Sequence, residues 1–247
     1  MQFQITEKRV AYLPYVTDAA LSAAVKRLLV VADEAVSQSI IAAGRNKIDP
    51  FGVLFEMAGF DLSYESWQSA EATRQAQKTL TNEVGLFHQH ILGSIAGWTN
   101  LGTGAVVDLV CEKRQIVAEV KNKHNTVKGS NKVTVYDDLE RAVATKGHMH
   151  FGYTAYYVEI IPSKKTGYNK PFTPSDNKTG LARKANEHIR IIDGKSFYAL
   201  ATGVPDALNK LHKILPRVIE ACSKKKYKFA DPNATAALFE KAFGSAK

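Results

Sequence analysis

Apolar residues recur at helical spacing near the start of the chain. One stripe consists of Leu21, Val25, Leu28, Ala32, Val36 and Ile40. Because residues three and four apart share one face of a helix, this stripe predicts an amphipathic helix. Thr17 or Asp18 is a residue type favoured at a helix N-cap, and Gly44 is a residue type favoured at a helix C-cap.

Three further helices are predicted before residue 100. Asp49 is favoured at an N-cap and Pro50 at the first position of a helix, so this pair predicts a short helix through Met57. Ser63 can begin the next helix, which continues to about Lys78. The last of the three ends near Gly97, and its apolar stripe is Leu80, Val84, Phe87, Ile91 and Ile95.

The pattern changes to short runs of β-branched residues after residue 104. Ala105-Val-Val-Asp-Leu-Val-Cys111 and Ile116-Val-Ala-Glu-Val-Lys121 are separated by a polar stretch, which predicts two antiparallel strands with a turn at Lys113-Arg114. The matching register places Asp108 opposite Glu119. Since side chains alternate between the faces of a strand, Glu119 and Lys121 point the same way.

Strands and helices alternate through the rest of the chain, which predicts an α/β fold. The predicted elements are a loop over 122–132, a helix over 135–144, a strand over 150–161, a long basic loop over 162–188, a hairpin of 189–192 with 196–200 about Asp193-Gly194, and a helix over 204–222. Three regions are expected: a helical N-terminal subdomain over 1–79, a core over 80–222, and a basic segment with a short helix over 223–247.

Two carboxylates directly opposed on one face of a hairpin are destabilising unless a cation lies between them. Asp108, Glu119 and Lys121 therefore have the chemistry that metal-dependent phosphodiester cleavage requires. The alternative is that the two acids lie on the solvated face of the hairpin and that Lys121 is a surface counter-charge. Both runs are otherwise almost wholly apolar, as in strands buried on two faces, and this favours the functional interpretation.

The charge of the chain favours a polyanionic partner. Its 247 residues have a formal net charge of +9, and much of the excess falls in two basic stretches interrupted by polar residues, which suit a phosphate backbone. These stretches contain Lys121, Lys123, Lys128 and Lys132, and then Lys164, Lys165, Lys170, Lys178, Arg183, Lys184 and Arg190. The short run Lys224-Lys-Lys226 equally suits a solvated helix end.

Other classes of site and location are not indicated. Cys111 and Cys222 lie far apart and have no metal-binding spacing, so neither a disulfide framework nor a zinc site is expected. The short spacing of His88 and His90 does not suit zinc, and Gly102-Thr-Gly104 lacks the third glycine of a dinucleotide-binding loop, so no nucleotide cofactor is expected. With no apolar stretch of membrane-spanning length and no signal-peptide core in the first residues, the expectation is a soluble, cytoplasmic protein without a membrane partner.

These residues carry a resemblance. A helix, Asp108, a turn, Glu119-Val-Lys121 and another helix resemble the PD-(D/E)xK nuclease superfamily, although Val107 stands where that superfamily usually has proline. Asn46-Lys-Ile-Asp-Pro-Phe51, Asn82-Glu-Val-Gly85 and Glu119-Val-Lys-Asn-Lys-His124 resemble, more narrowly, type II restriction endonucleases of the group that cuts GGNCC-type palindromes. The resemblance implies a restriction-endonuclease-like mixed β-sheet core flanked by helices.

The resemblance also implies roles for individual residues. Asp108 and Glu119, with the carbonyl of Val120, would hold Mg²⁺, a hard cation that prefers oxygen ligands. Lys121 would lie beside the attacking water. Glu83 is either an additional acidic group near the metal or a solvent-facing helical glutamate, and both interpretations stay open.

Recognition of double-stranded DNA is expected from residues that flank the catalytic strand and from an opposite wall of the groove. The candidates are Asn122, Lys123, His124, Asn125, Lys128, Asn131 and Lys132, followed by Arg183, Lys184 and His188. A palindromic target implies a two-fold homodimer. A repair or junction-resolving nuclease of the same fold and a non-catalytic DNA-binding protein are the alternatives, but a pure binder gains nothing from two acids facing a polyanion.

Overall fold

A mixed β-sheet of six strands organises the computed structural model, which describes residues 11–42, 48–102, 104–176, 179–224 and 232–244. The strands are β1 (Thr99–Asn100), β2 (Leu109–Cys111), β3 (Ile116–Lys123), β4 (Thr154–Ile161), β5 (Asn169–Pro171) and β6 (Ile189–Asp193). Their order is β1-β2-β3-β4-β6-β5, in which β3, β4 and β6 are parallel and the other neighbours are antiparallel.

The described ranges contain seven α-helices, and six of them cover the two faces of this sheet. The seven helices are α1 (Asp18–Ala42), α2 (Pro50–Phe60), α3 (Tyr64–Gly93), α4 (Gly129–Ala144), α5 (Gly194–Thr202), α6 (Ala207–Cys222) and α7 (Pro232–Phe243). Helices α1, α3, α5, α6 and α7 pack on one face, and α4 packs on the other. This architecture confirms the predicted α/β fold with a mixed sheet flanked by helices. None of the described helices combines the length and apolar character needed to cross a bilayer.

The first two helices begin where their capping residues predict. The Thr17 hydroxyl accepts a hydrogen bond from the amide of Ala20, and the Asp49 carboxylate accepts one from the amide of Phe51. The predicted C-cap of α1 at Gly44 lies outside the described residues. Helix α2 continues to Phe60, beyond the predicted end at Met57, and closes on Asp61 in the left-handed conformation.

Helix α3 is one continuous helix where the sequence predicted two. No helix breaker separates the two apolar stripes, and the hydroxyl of Thr79 bonds back to the carbonyl of Gln75 within the helix. The helix ends at Gly93 rather than near Gly97, where the next segment packs so closely that a Cβ on Gly93 would lie 2.5 Å from the Cβ of Asn100. Position 79/80 lies inside α3, so the proposed N-terminal subdomain and core share this helix, and the division stays a prediction.

The β2–β3 hairpin has the predicted register, although β2 begins at Leu109 and not at Ala105. Leu109 pairs with Ala118 and Cys111 with Ile116, and the amide of Asp108 donates to the carbonyl of Ala118 at 2.9 Å. The predicted two-residue turn is wrong. A short 3-10 helix over Glu112–Arg114 makes the connection instead, and Gln115 closes it in the left-handed conformation with φ of 52°.

Several boundaries after the hairpin differ from the prediction. Helix α4 begins at Gly129, so Asn131 and Lys132 lie in its first turn and not in a loop. The next strand begins at Thr154 rather than His150. The long basic loop contains β5, which pairs with β6, and its Lys178 is outside the described residues.

The predicted hairpin at Asp193-Gly194 is wrong, because this dipeptide joins β6 to α5. The Asp193 carboxylate accepts a hydrogen bond from the amide of Ser196 and caps the helix. A Cβ on Gly194 would lie 2.3 Å from the carbonyl oxygen of Ile160. The glycine therefore permits a close approach of α5 to β4 instead of a hairpin turn.

We expect Gly194→Ala to destabilise the protein by about 2 kcal/mol or more, because the added methyl group meets backbone atoms that cannot rotate away. Gly59→Ala is the matched control, since a Cβ at Gly59 meets nothing within 4 Å. In a helix that change is expected to stabilise by about 0.5–1 kcal/mol. Urea unfolding of both variants measures the difference. Equal stabilities for the two variants would contradict the close approach at Gly194.

Candidate active site

Asp108, Glu119 and Lys121 meet at the open end of the β2–β3 hairpin. The Asp108 carboxylate accepts a hydrogen bond from the amide of Val120 at 2.7 Å. On β3, the ammonium of Lys121 lies 2.5 Å from Oε1 of Glu119, as the shared face of these two residues predicts. The two carboxyl groups are themselves within hydrogen-bonding reach of each other. The structure therefore brings the three ionisable groups together.

Burial disfavours the ionised forms of the Asp108 and Glu119 carboxyl groups. Desolvation, followed by the charge of Asp108, raises the pKa of Glu119 to about 7. Burial also raises the pKa of Asp108, against the lowering effect of the Val120 amide, of Lys121 and of a hydrogen bond with the Gln89 side chain. Each raised pKa means that the ionised form is disfavoured relative to water. At neutral pH the pair favours a shared proton or a cation.

The donor set fits a hard divalent cation. Mg²⁺ is commonly held in proteins by one or two carboxylates and keeps several waters or substrate phosphate oxygens. Among the described residues, no group of three or more acids, histidines and cysteines is arranged to hold a metal. Two half-buried, mutually repulsive carboxylates fit such an ion better than they fit a closed structural site.

A second buried acid lies next to the three groups on the same face of the sheet. Glu159 of β4 is opposite Lys121 in the strand register and is 2% exposed. Its carboxylate is 2.6 Å from the ammonium of Lys132 and 2.5 Å from the hydroxyl of Tyr168. The Lys132 ammonium also lies 5.5 Å from the ring centroid of Tyr157. Lys132, a predicted DNA-binding residue, is thus held by a buried carboxylate.

Glu83 of α3 forms an ion pair with a residue of a neighbouring helix. It is 9% exposed, so it does not face solvent. Its Oε1 lies 2.5 Å from Nε of Arg27, which belongs to α1. Within α3 it is Gln89, and not Glu83, whose side chain forms a hydrogen bond with Asp108. A role for Glu83 near the metal stays a prediction, and the observed ion pair instead links α3 to α1.

The residues directly after the catalytic motif divide between two environments. Asn122 turns towards α3, where a Cβ on Gly85 would lie 3.8 Å from its own Cβ, and its Oδ1 is buried without a partner in the described residues. His124 likewise has a buried Nδ1 without a partner there. By contrast, the predicted DNA-binding residues of this segment that are exposed are Lys123, Asn125 and Lys128. Asn131 is also exposed, on the first turn of α4.

The segment predicted as the opposite wall is attached to α4. Nε and Nη2 of Arg183 donate to the two carboxylate oxygens of Asp137 at 2.8 and 2.7 Å. The carbonyl of Lys184 accepts a hydrogen bond from the hydroxyl of Tyr136. The side chains of Lys184 and His188 are exposed. This part of the basic loop therefore has a fixed position beside α4, and Arg183 acts in that attachment.

Three residues at the site, Glu159, Tyr157 and Gln89, were not predicted from the sequence. A signal for Glu159 was present, since it is the only acid within the apolar run Thr154–Ile161, just as Glu119 is the only acid within its own apolar strand. Tyr157 is opposite Glu119 in the register, and its hydroxyl is buried without a partner in the described residues. Gln89 gave no signal, because a polar residue on a long helix is ordinary.

Comparisons with known proteins show which family this chain belongs to. The family model of the Eco47II restriction endonuclease matches residues 13–223. The type II restriction enzyme Eco47II of Escherichia coli is 48% identical over 208 residues, which cover 84% of this chain and 87% of that protein. The type II restriction enzyme Sau96I of Staphylococcus aureus is 30% identical over 213 residues, which cover 85% and 80%. The chain belongs to the Eco47II restriction endonuclease family.

Proposed function

We propose that this chain is a type II restriction endonuclease that hydrolyses phosphodiester bonds of double-stranded DNA at a short palindrome with Mg²⁺. The observation that carries the proposal is the contact of Asp108, Glu119 and Lys121 in an otherwise apolar hairpin. Membership of a family named for a restriction endonuclease supports it. A GGNCC-type target follows from the resemblance of the sequence motifs and stays a prediction, as does a bacterial cytoplasmic location.

In this proposal each residue has a distinct role. Asp108 and Glu119, with the carbonyl of Val120, would hold Mg²⁺, which would supply Lewis acidity and favour the hydroxide form of the attacking water. Lys121 places its ammonium beside the scissile phosphate, where it favours the hydroxide form of the attacking water and stabilises the charge that develops on the phosphate. Glu119 orients that ammonium through their ion pair. The products are a 5′-phosphate and a 3′-hydroxyl.

The surroundings of these residues favour DNA lying across the open end of the hairpin. Exposed Lys123 is the last residue of β3, exposed Lys128 follows this strand, and exposed Lys184 lies on the segment attached to α4. We propose that these lysines contact phosphates, which supply most of the affinity of such interfaces. Asn125, Asn131 and His188 are exposed and can reach either base edges or phosphates. A two-fold homodimer matches a palindromic site and gives one active site for each strand.

Binding of Mg²⁺ is expected to depend on pH. Because burial and Asp108 raise the pKa of Glu119 to about 7, a proton must leave the pair below that pH before the ion binds. The apparent affinity for Mg²⁺ should fall about tenfold for each pH unit below 7 and level off above it. Calorimetric titration with Mg²⁺ over this range measures it, and Glu119→Gln should remove the slope. A flat wild-type profile would contradict the raised pKa.

Cleavage of unmodified phage DNA tests the proposed function. With Mg²⁺ the protein should give discrete fragments whose ends share one sequence, and EDTA should prevent cutting. A smear without common ends would indicate a nonspecific nuclease, and cutting confined to branched or damaged DNA would indicate a repair or junction-resolving enzyme. Intact DNA with every divalent metal, together with a shift in electrophoretic mobility, would leave only a DNA-binding protein and overturn the proposal.

A further inference from the structure

Helix α2 is almost wholly apolar, yet it contains no buried residue. Phe51, Leu54, Phe55 and Phe60 are 73%, 66%, 79% and 71% exposed. A soluble helix normally buries its apolar stripe, and a helix that is apolar on all sides normally lies inside a core. Here the apolar side chains face outward, so the helix lacks, within the described chain, the partner that its composition requires.

The contacts of α2 with the rest of the described chain do not cover this surface. Glu56 is the only charged residue in the helix, and its carboxylate accepts a hydrogen bond from the indole of Trp67 at 2.7 Å. Tyr64 stacks on Trp67 with ring centroids 6.0 Å apart. These contacts hold α2 against the start of α3 and leave its apolar side open. We call the side chains of Ile48, Phe51, Leu54 and Phe55 the α2 patch; Phe51, Leu54 and Phe55 share one face of the helix, Ile48 precedes it, and all four are exposed.

We propose that the α2 patch is the surface through which two copies of this chain associate. The size of the patch supports this occupant. With these large side chains mostly exposed, the patch offers about 500 Å², more than half of the about 800 Å² that each partner buries in a standard interface. Monomeric proteins rarely expose contiguous apolar patches larger than about a few hundred Å², and those they expose are often functional.

The charge distribution also favours a second copy over a charged partner. The chain has a net charge of +9, so two copies repel each other over most of their surface. The α2 patch has no basic residue, and the acids next to it, Asp49 and Asp61, lie at the two ends of the helix. In a two-fold interface the same patch of both copies is in contact, so equivalent or neighbouring residues face each other. Aromatic and aliphatic side chains can pack in this way, whereas like charges would repel each other.

The inference deepens the proposed function, because it names the surface that builds the homodimer of a palindrome-cutting enzyme. It also gives a role to α2, which contributes no buried residue to the core. Helix α2 packs on α3, and none of its main contacts is with the hairpin that holds Asp108 and Glu119. An interface on α2 therefore leaves the catalytic residues free for DNA.

Two leucines with the same exposure provide a matched test. Leu54 of the α2 patch and Leu238 of α7 are both 66% exposed on helices. Sedimentation equilibrium at micromolar concentration should give twice the 27.2 kDa chain mass for the wild type and for Leu238→Lys. Leu54→Lys should sediment as a monomer, and its circular dichroism spectrum and Tm extrapolated to low protein concentration should match those of Leu238→Lys.

The outcomes separate this inference from the proposed function. A dimer that persists in both Leu54→Lys and the double variant Leu54→Lys/Phe55→Lys would overturn the α2 interface and leave the nuclease proposal standing. A wild type that sediments as a monomer would also overturn the α2 interface. If that monomer floats with vesicles of neutral phosphatidylcholine, the patch binds lipid instead. If Leu54→Lys dissociates the dimer but the wild-type protein does not cut DNA, the α2 interface is supported and the nuclease proposal fails.

Discussion

Asp108→Asn is expected to lower the rate of DNA cleavage by a factor of at least about 10³. The variant loses one of the two charged oxygen donors for Mg²⁺, and a loss of about 4 kcal/mol of transition-state stabilisation corresponds to that factor. The Asn side chain can still accept the hydrogen bond that the Val120 amide donates at 2.7 Å, so the hairpin is retained. Single-turnover cleavage of plasmid DNA measures the rate.

The same variant is expected to be more stable than the wild type in EDTA near and above pH 7. The charge of Asp108 contributes to the raised pKa of Glu119, and a carboxyl with a raised folded-state pKa loses stability as pH rises through that pKa. Removing Asp108 reduces this loss. Asp206→Asn is the control, because Asp206 pairs with Lys210 at the exposed start of α6. A destabilised, fully active Asp108→Asn would indicate a purely structural acid.

Lys121→Met is expected to lower the cleavage rate by about 10²–10³, the usual effect of removing one group that stabilises developing charge. Methionine keeps the length and much of the volume of the side chain and removes only the ammonium. Lys123→Met is the matched control, since Lys123 lies two residues further along β3 and is exposed. It should lower the rate less than about tenfold, by weakening a phosphate contact alone.

A pH profile distinguishes the role of Lys121 from a structural one. The ammonium lowers the pKa of Glu119, against burial and Asp108. Without it, the pKa rises further, so the rising limb of the remaining activity should move to higher pH in Lys121→Met and stay in place in Lys123→Met. An unmoved profile with wild-type activity would show that the ammonium does not act at this site.

The catalytic hairpin was predictable because its evidence is local. Two short apolar runs flank a polar connection, and a single register follows from that spacing, so the opposition of Asp108 and Glu119 and the shared face of Glu119 and Lys121 could be derived from strand geometry. The conformation of the turn could not be predicted in this way. Its 3-10 helix depends on Gln115 adopting a left-handed conformation, for which glutamine gives no sequence signal.

Errors elsewhere came from contacts that local patterns do not contain. Asp193-Gly194 has the sequence of a hairpin turn, but the glycine is required by the backbone of Ile160 on a distant strand. The role of Lys132 depends on Glu159, which is 27 residues away and was not recognised as a buried acid. The outward surface of α2 is likewise visible only once the fold shows that nothing in the described chain covers Phe51 and Phe55.

Everything proposed for catalysis requires the carboxylates of Asp108 and Glu119 to hold a divalent cation beside Lys121. Anomalous diffraction from crystals of the protein grown with Mn²⁺ and duplex DNA locates that cation. We expect a strong peak in contact with both carboxylates and with the DNA phosphate nearest to the Lys121 ammonium. A peak at another group of residues, or none between these carboxylates at saturating Mn²⁺, would contradict the proposed mechanism.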